Sequence, residues 1–228
     1  MDNTQVNPRR VLLINRDSFE LATLSASLRL HGVNIVGEAS NIYLAENLFN
    51  SLQPEIILID LQPPGEEPIK FLNKARKLNP NCGIVVITAC PDFRLMGLQE
   101  KNIPRGSQII LKRALSDLSV IADTFAQSVE AVKDQSRMTW ISANASIHET
   151  SLINAARELS DVQMETLRLL AQGLSNSEIA RVRFVSEKSV EQIVARIAQH
   201  LSISPDRSRN LRVILAAEYF KWLGAPRH

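Results

Sequence analysis

Three aliphatic, mostly β-branched runs each end on a side chain that can do chemistry: Ile56–Ile59 on Asp60, Ile84–Ile87 on Thr88, and Ile109–Leu111 on Lys112. A fourth run, Val11–Ile14, leads into Asn15, Arg16 and Asp17. Ligand chemistry in a parallel sheet collects at the carboxyl ends of its strands, which is where all six residues fall. A second set is spaced for a helix. In the stretch Glu187–Leu201, Val190, Val194, Ile197 and Leu201 form one apolar stripe, and Lys188, Ser189, Glu191, Gln192 and Arg196 lie on the opposite face. A helix of this kind fits the major groove of DNA. Lys188 can reach guanine or phosphate, and Gln192 can pair with adenine through both amide groups. Ser189 and Arg196 suit phosphate or sugar, contacts that position without specifying. Ser175, Asn176 and Ser177 stand at a helix start, whose exposed amides suit a backbone phosphate. Glu191 would repel phosphate or accept from a cytosine amine.

The elements that must position these groups divide the chain in two. In the first half, apolar runs at Val11–Ile14, Val33–Val36, Ile56–Ile59, Ile84–Ile87 and Ile109–Leu111 alternate with amphipathic stretches. That alternation predicts an α/β fold, a doubly wound, five-stranded parallel sheet of the flavodoxin-like kind, with helices on both faces. A short irregular fourth helix is expected around Gly97, Pro104 and Gly106. Cys82 and Cys90 bracket one strand, too far apart to form a disulfide, and read as buried structural thiols.

The last third is helical. Ser160-x-x-Gln163 and Ser175-x-x-Glu178 have capping-box spacing, Ser186 is a further N-cap, and Ser204–Pro205 is a fourth start signal. Gly173 stands where a helix ends in a left-handed residue. Helices over about 160–172, 176–182, 187–201 and 205–222 make the arrangement of a helix-turn-helix. The chain therefore reads as residues 8–132 in the sheet domain, 133–157 as a linker with a short docking segment around Trp140, and 158–224 as the helical domain. Leu211, Ile214, Leu215, Tyr219 and Trp222 give the last helix an apolar face for a dimer surface or for covering the core.

The bulk properties are those of an ordinary soluble protein, with 45% hydrophobic and 22% charged residues among 228 and a net charge of +2. From Glu158 onward ten basic residues face eight acidic ones, so charge alone argues only weakly for nucleic acid. The longest apolar runs are too short for a bilayer and the opening MDNTQVNPRR is polar, so a cytoplasmic protein without membrane contact is expected. The sequence holds no nucleophile–base constellation, metal-ligand cluster or glycine-rich phosphate loop, and an enzyme is not expected.

Two resemblances then stand out. The stretch Glu158–Ile203, with its Leu159-Ser160 start, GLSNSEIA over 173–180 and S-x-x-S-V at Ser186–Val190, resembles the LuxR-type helix-turn-helix. The first half, with Asp60 in IDLQPPG, Thr88 in VVITA and Lys112 in IILK, looks like a response-regulator receiver, the usual partner of this reader in NarL/FixJ-type regulators. The resemblance implies transcriptional regulation on double-stranded DNA as a homodimer, with a histidine kinase or another protein as input. It also implies Asp60 as phosphoacceptor, Lys112 as the phosphate-contacting cation, and Thr88 as the hydroxyl that follows phosphorylation.

The chain departs from that pattern where the family holds its metal. The acidic pair after the first strand is replaced by Asn15 and Arg16, one a neutral amide and the other a permanent cation. Asp17 could lean in as a ligand. Because Mg²⁺ wants carboxylate oxygens, no cofactor is expected. An Arg16–Asp60 ion pair is expected in the ion's place, in an atypical receiver. Ile109 and Ile110 also occupy the positions of the family's aromatic switch residue. A conventional kinase-driven regulator and a signalling adaptor without DNA affinity are the rival readings.

Overall fold

The computed structural model describes residues 9–62, 65–112, 118–134, 136–141, 156–204 and 208–224. The chain forms two compact units. The first is built on strands β1 (Arg10–Ile14), β2 (Asn34–Ala39), β3 (Ile56–Asp60), β4 (Gly83–Thr88), β5 (Gln108–Leu111) and β6 (Thr139–Ile141), with helices α1 (Ser18–Leu30), α2 (Ile42–Leu52), α3 (Glu66–Leu78) and α4 (Ser119–Lys133). All strand pairs are parallel, in the order β2-β1-β3-β4-β5-β6. Every residue of β3, β4 and β5 is buried, as a sheet covered on both faces requires. Asp17 and Asn41 cap α1 and α2 through their side chains. The strand order reverses between β1 and β3, so the crevice beyond their carboxyl ends is where such a sheet offers a site.

The sheet has six strands where the apolar runs predict five. Thr139, Trp140 and Ile141, in the expected linker, pair with Gln108, Ile109 and Ile110 of β5. Three residues are too few to show a period of two, yet a Thr-Trp-Ile tract has high β-propensity and covers what would otherwise be an open edge. No α-helix forms between β4 and β5. The chain makes two 3₁₀ turns there, Phe93–Met96 and Glu100–Asn102. Most of the expected linker, 142–155, lies outside the described residues.

The second unit contains Ala89–Gln99 and helices α5 (Asp161–Ala171), α6 (Asn176–Arg183), α7 (Glu187–His200) and α8 (Leu211–Trp222). The Ser160 box forms in both directions, Oγ accepting from Gln163 N and Gln163 Oε1 from Ser160 N. The Ser175 box forms by half: Ser175 accepts from Glu178 N, while the Glu178 carboxylate turns to Arg181. Gly173 takes φ +89° and ends the turn after α5. α8 begins at Leu211, capped by Asn210, and not at Pro205, which lies outside the described residues. Its Leu215, Tyr219 and Trp222 are buried within this unit, with α8 against α5 and the Tyr219 hydroxyl donating to Leu95 O at 2.7 Å. Leu215, Tyr219 and Trp222 of α8 therefore serve the second of the two expected uses, covering the core, while Val213 and Phe220 of the same helix stay exposed.

Cys82 and Cys90 are both buried, and burial pushes the Cys82 thiol up to about 12. Among the described residues no helix is long and apolar enough to cross a membrane.

Phe184 closes α6 in the left-handed region, φ 54°, with its ring 95% exposed. A residue with a Cβ is strained there by roughly 1–2 kcal/mol, and this ring recovers little of that by packing. Asn tolerates the conformation. Phe184→Asn is expected to stabilise the chain by about 0.5–1 kcal/mol in urea unfolding; a loss of stability would refute the assignment of strain.

Candidate functional site

The residues foreseen at strand ends do converge, around the buried carboxylate of Asp60. Its side chain is 2% exposed. Lys112, just beyond β5, reaches past the end of β4 and donates from Nζ to Asp60 Oδ2 at 2.8 Å. The same ammonium donates to Glu20 Oε2 at 2.8 Å. Gln62 Nε2 adds a second bond to Asp60 Oδ2, at 2.6 Å. Thr88 lies buried at the end of β4, and its hydroxyl donates to Leu61 O at 2.9 Å. Asp60 Oδ1 has no hydrogen-bond partner among the described residues.

Asn15, Arg16 and Asp17 take other parts than those expected. Asn15 Nδ2 donates to Glu20 Oε2 at 3.0 Å, and its Oδ1 accepts from Asp17 N at 2.9 Å. Asp17 Oδ1 accepts from Phe19 N and Glu20 N, so this carboxylate is the N-cap of α1 and does not lean into the crevice. The Arg16 guanidinium faces Glu67 at 3.4 Å, where both side chains are exposed. The expected Arg16–Asp60 pair therefore does not form. Arg16 is the residue after Asn15 and follows the chain outward, whereas the buried oxygen is reached by a lysine rising from the sheet itself. Glu20 and Gln62 were not foreseen. The signal for Glu20 was present: with Asp17 as N-cap, it falls at the third helical position, one turn above the end of β1.

Burial and pairing act in opposite directions here. Burial raises the Asp60 carboxyl above its ordinary range and outweighs the bonds from Lys112 and Gln62. Burial alone would lower Lys112, but its bonds to Asp60 and Glu20 prevail, and it is raised. The bond from Lys112, with that from Asn15, lowers Glu20. Two ion-paired groups both shifted upward is consistent with their exposures, 2% for Asp60 against 30% for Lys112: the carboxylate bears the greater loss of water.

A divalent ion does not fit this donor set. Mg²⁺ needs a near-octahedral oxygen shell, with carboxylates facing it. The Asn15 amide oxygen is engaged by the backbone, and the Lys112 ammonium stands between the two carboxylates an ion would use. Among the described residues no cluster of three or more His, Cys, Asp or Glu is placed to hold a metal.

In the helical unit the expected division of α7 is present. Val190, Val194, Ile197 and Ala198 are buried. Lys188, Glu191, Gln192 and Arg196 are exposed, and Ser189, half-buried, shares its hydroxyl with the N-cap Ser186 at 2.7 Å. No hydrogen bond engages Lys188, Gln192 or Arg196 among the described residues. Arg183, side chain 10% exposed, joins α6 to α5 through Glu165 at 3.2 Å and Thr166 at 2.7 Å. Arg212 of α8 donates to Asn176 Oδ1 and Leu174 O, which fixes the start of α6. The Asn176 carbonyl is thus occupied, and its contribution to an anion site would come from the backbone. His200, at the end of α7, lies 3.4 Å from Glu158.

Residues 157–207 match the model of the luxR family of bacterial regulatory proteins. The chain is 30% identical to the oxygen regulatory protein NreC of Staphylococcus carnosus (strain TM300) over 157 residues, 66% of this chain and 71% of that protein. It is 26% identical to the nitrate/nitrite response regulator protein NarL of Escherichia coli (strain K12) over 175 residues, 75% of this chain and 78% of NarL. Among solved structures, that of the two-component response regulator RcsB–DNA complex covers 95% of this chain and 100% of its own, at 21% identity and a TM-score of 0.54. A structure of two RcsB dimers bound to two parallel DNAs gives 20% and 0.54.

Two substitutions test the electrostatics of Asp60. A group whose folded pKa lies above its unfolded one gives stability that is complete below the unfolded value, about 4, and is lost as pH rises through the folded value. Asp60→Asn removes this loss, so its stability relative to the parent should improve between pH 4 and pH 7 in urea unfolding; a relative decline would reverse the assignment. Lys112→Met should destabilise by about 3 kcal/mol at pH 7 by leaving a buried charge with one neutral donor, and by less at pH 4.

Proposed function

The chain belongs to the NarL/FixJ-type response regulators, and we propose that it regulates transcription by binding double-stranded DNA as a homodimer through α7. One observation carries this reading. The buried stripe of α7 leaves Lys188, Gln192 and Arg196 exposed on a single face, with no other task among the described residues. Gln192 is the candidate for bidentate reading of adenine and Lys188 for guanine or phosphate, while Arg196 and Ser189 position the helix on the backbone. The amides at the start of α6, held by Arg212, are suited to a phosphate. Glu191 sits among these residues as a charge of the wrong sign for phosphate, and the basic surplus is small. A single unit should therefore bind modestly, and pairing on a two-fold site supplies the remaining affinity. The RcsB dimers solved on DNA are in keeping with that arrangement. A regulator of this type works in the cytoplasm, where it meets its promoters.

Our proposal for the receiver sheet is that it is atypical and does not depend on Mg²⁺-assisted phosphorylation of Asp60. The support is the amide at Asn15 and the guanidinium at Arg16 where the family holds its ion on carboxylates, with the Asn15 oxygen engaged by Asp17 N.

Gel shifts on genomic and random duplexes across a salt series test the first reading. Binding should weaken steeply with salt while a preferred site survives. Arg196→Ala should lower the salt slope by about one unit on all sequences, and Gln192→Ala should lose about 1–3 kcal/mol on the preferred site only. Equal affinity for all duplexes at low salt, with both variants unchanged, would refute it. For the receiver, isothermal titration should detect no tight Mg²⁺ binding, and a small phosphodonor should leave no stable adduct on Asp60. A phosphorylated Asp60 would instead support the conventional kinase-driven reading.

A further inference from the structure

Between α6 and α7 the chain turns through Phe184, Val185 and Ser186, and the turn demands the backbone of its first residue but not its ring. Phe184 closes α6 at φ 54°, its N–H donating to Ala180 O and Arg181 O. A left-handed residue is needed there, and Gly or Asn would supply it with less strain. Gln53 stands in the same region at φ 47° and offsets the strain with a side-chain bond to Asn50 O at 2.9 Å. The Phe184 side chain has no polar atom to do the same, and its ring is 95% exposed. The folded unit thus carries both a strained backbone and a large apolar ring in water. Strain of this kind concentrates at functional sites, where stability is given up for a contact with a partner.

The place of the ring in the fold indicates the partner. Every residue from Phe184 to Lys188 is exposed, so the ring is continuous with the surface that begins the reading helix. Four residues span at most about 14 Å, and the major groove is about 12 Å wide. With Lys188 among the base edges, the ring is within reach of the groove wall, which is built of sugar and phosphate. Arg183 is taken up by Glu165 and Thr166, while Val182 and Val185 are exposed beside Phe184. The turn therefore offers the wall an apolar surface. Glu187, exposed in the first turn of α7, would repel a phosphate there, which favours the carbon face of the sugar. We infer that the Phe184 ring packs against a deoxyribose of the groove wall when α7 lies in the groove, and so strengthens attachment to any duplex without reading its sequence. The inference rests on the DNA-binding role proposed for α7.

Fluorescence anisotropy on the full chain would compare the parent with Phe184→Asn and Phe184→Tyr, on the preferred duplex and on a random one, across a salt series. Phe184→Asn should bind both duplexes about tenfold more weakly, the effect of uncovering one ring face. Its salt slope should match the parent's, because no charge is removed. Phe184→Tyr keeps the ring and should retain the parent's affinity. Urea unfolding should find Phe184→Asn at least as stable as the parent, which separates a lost contact from a lost fold. The inference falls if Phe184→Tyr loses as much affinity as Phe184→Asn, or if the loss is confined to the preferred duplex, as a base contact would give. If the parent prefers one duplex and Phe184→Asn binds it equally well, this contact alone is overturned and the ring is left for a protein partner. A parent that prefers no duplex overturns the reading role of α7 itself, and the sugar contact with it.

Discussion

A carboxylate at the end of a fully buried strand cannot keep its water, and the sheet unit is organised around that fact. β3 lies in the middle of the sheet with all five residues buried, and Asp60 is its last. An isolated charge there would be strongly unfavourable, so partners must come from the surrounding strand ends. Lys112 arrives from two strands away, and the short Thr88 at the intervening strand bonds the backbone and leaves room for it. The ammonium in turn draws in Glu20, and Glu20 draws in Asn15. The ends of β1, β3 and β5 and the first turn of α1 thus share one chain of hydrogen bonds. One oxygen of the carboxylate that starts this chain is left without a donor among the described residues.

The helical unit solves a different problem, keeping one helix fixed while its polar face stays unengaged. α7 is anchored by its apolar stripe, and its N-terminus by Ser186. The neighbouring α6 is held from both ends. Arg212 bonds the turn before it and Arg183 ties its last residue to α5. These arginines do structural work and are taken up within the unit. On the outward face of α7, Lys188 and Arg196 stay exposed with no hydrogen bond among the described residues, so a small basic surplus can still present a contact surface there.

Much of this was legible in the residues. Asp60, Thr88 and Lys112 stood out because each closes an aliphatic run, and strand ends on one edge of a parallel sheet must lie together. The caps at Ser160, Ser175 and Ser186 marked helix starts because few side chains satisfy the orphan amides there. The misreadings share a cause. Arg16 was matched to Asp60 on charge and proximity in sequence, yet the peptide direction after β1 carries its side chain outward to Glu67. β6 was too short for periodicity to register, and Pro205 suggested a start for α8 that falls to Asn210.

The sequence by itself determined the alternation of strands and helices, which faces are apolar, and the kinds of chemical group at each strand end, because these follow from local propensity and period. The tertiary structure decided which cation meets the buried carboxylate, that a three-residue tract completes the sheet, and that Leu215, Tyr219 and Trp222 of α8 are core. Those outcomes depend on distances between residues far apart in the chain. Such distances arise only when the layers pack, and desolvation then makes each pairing or its absence energetically decisive.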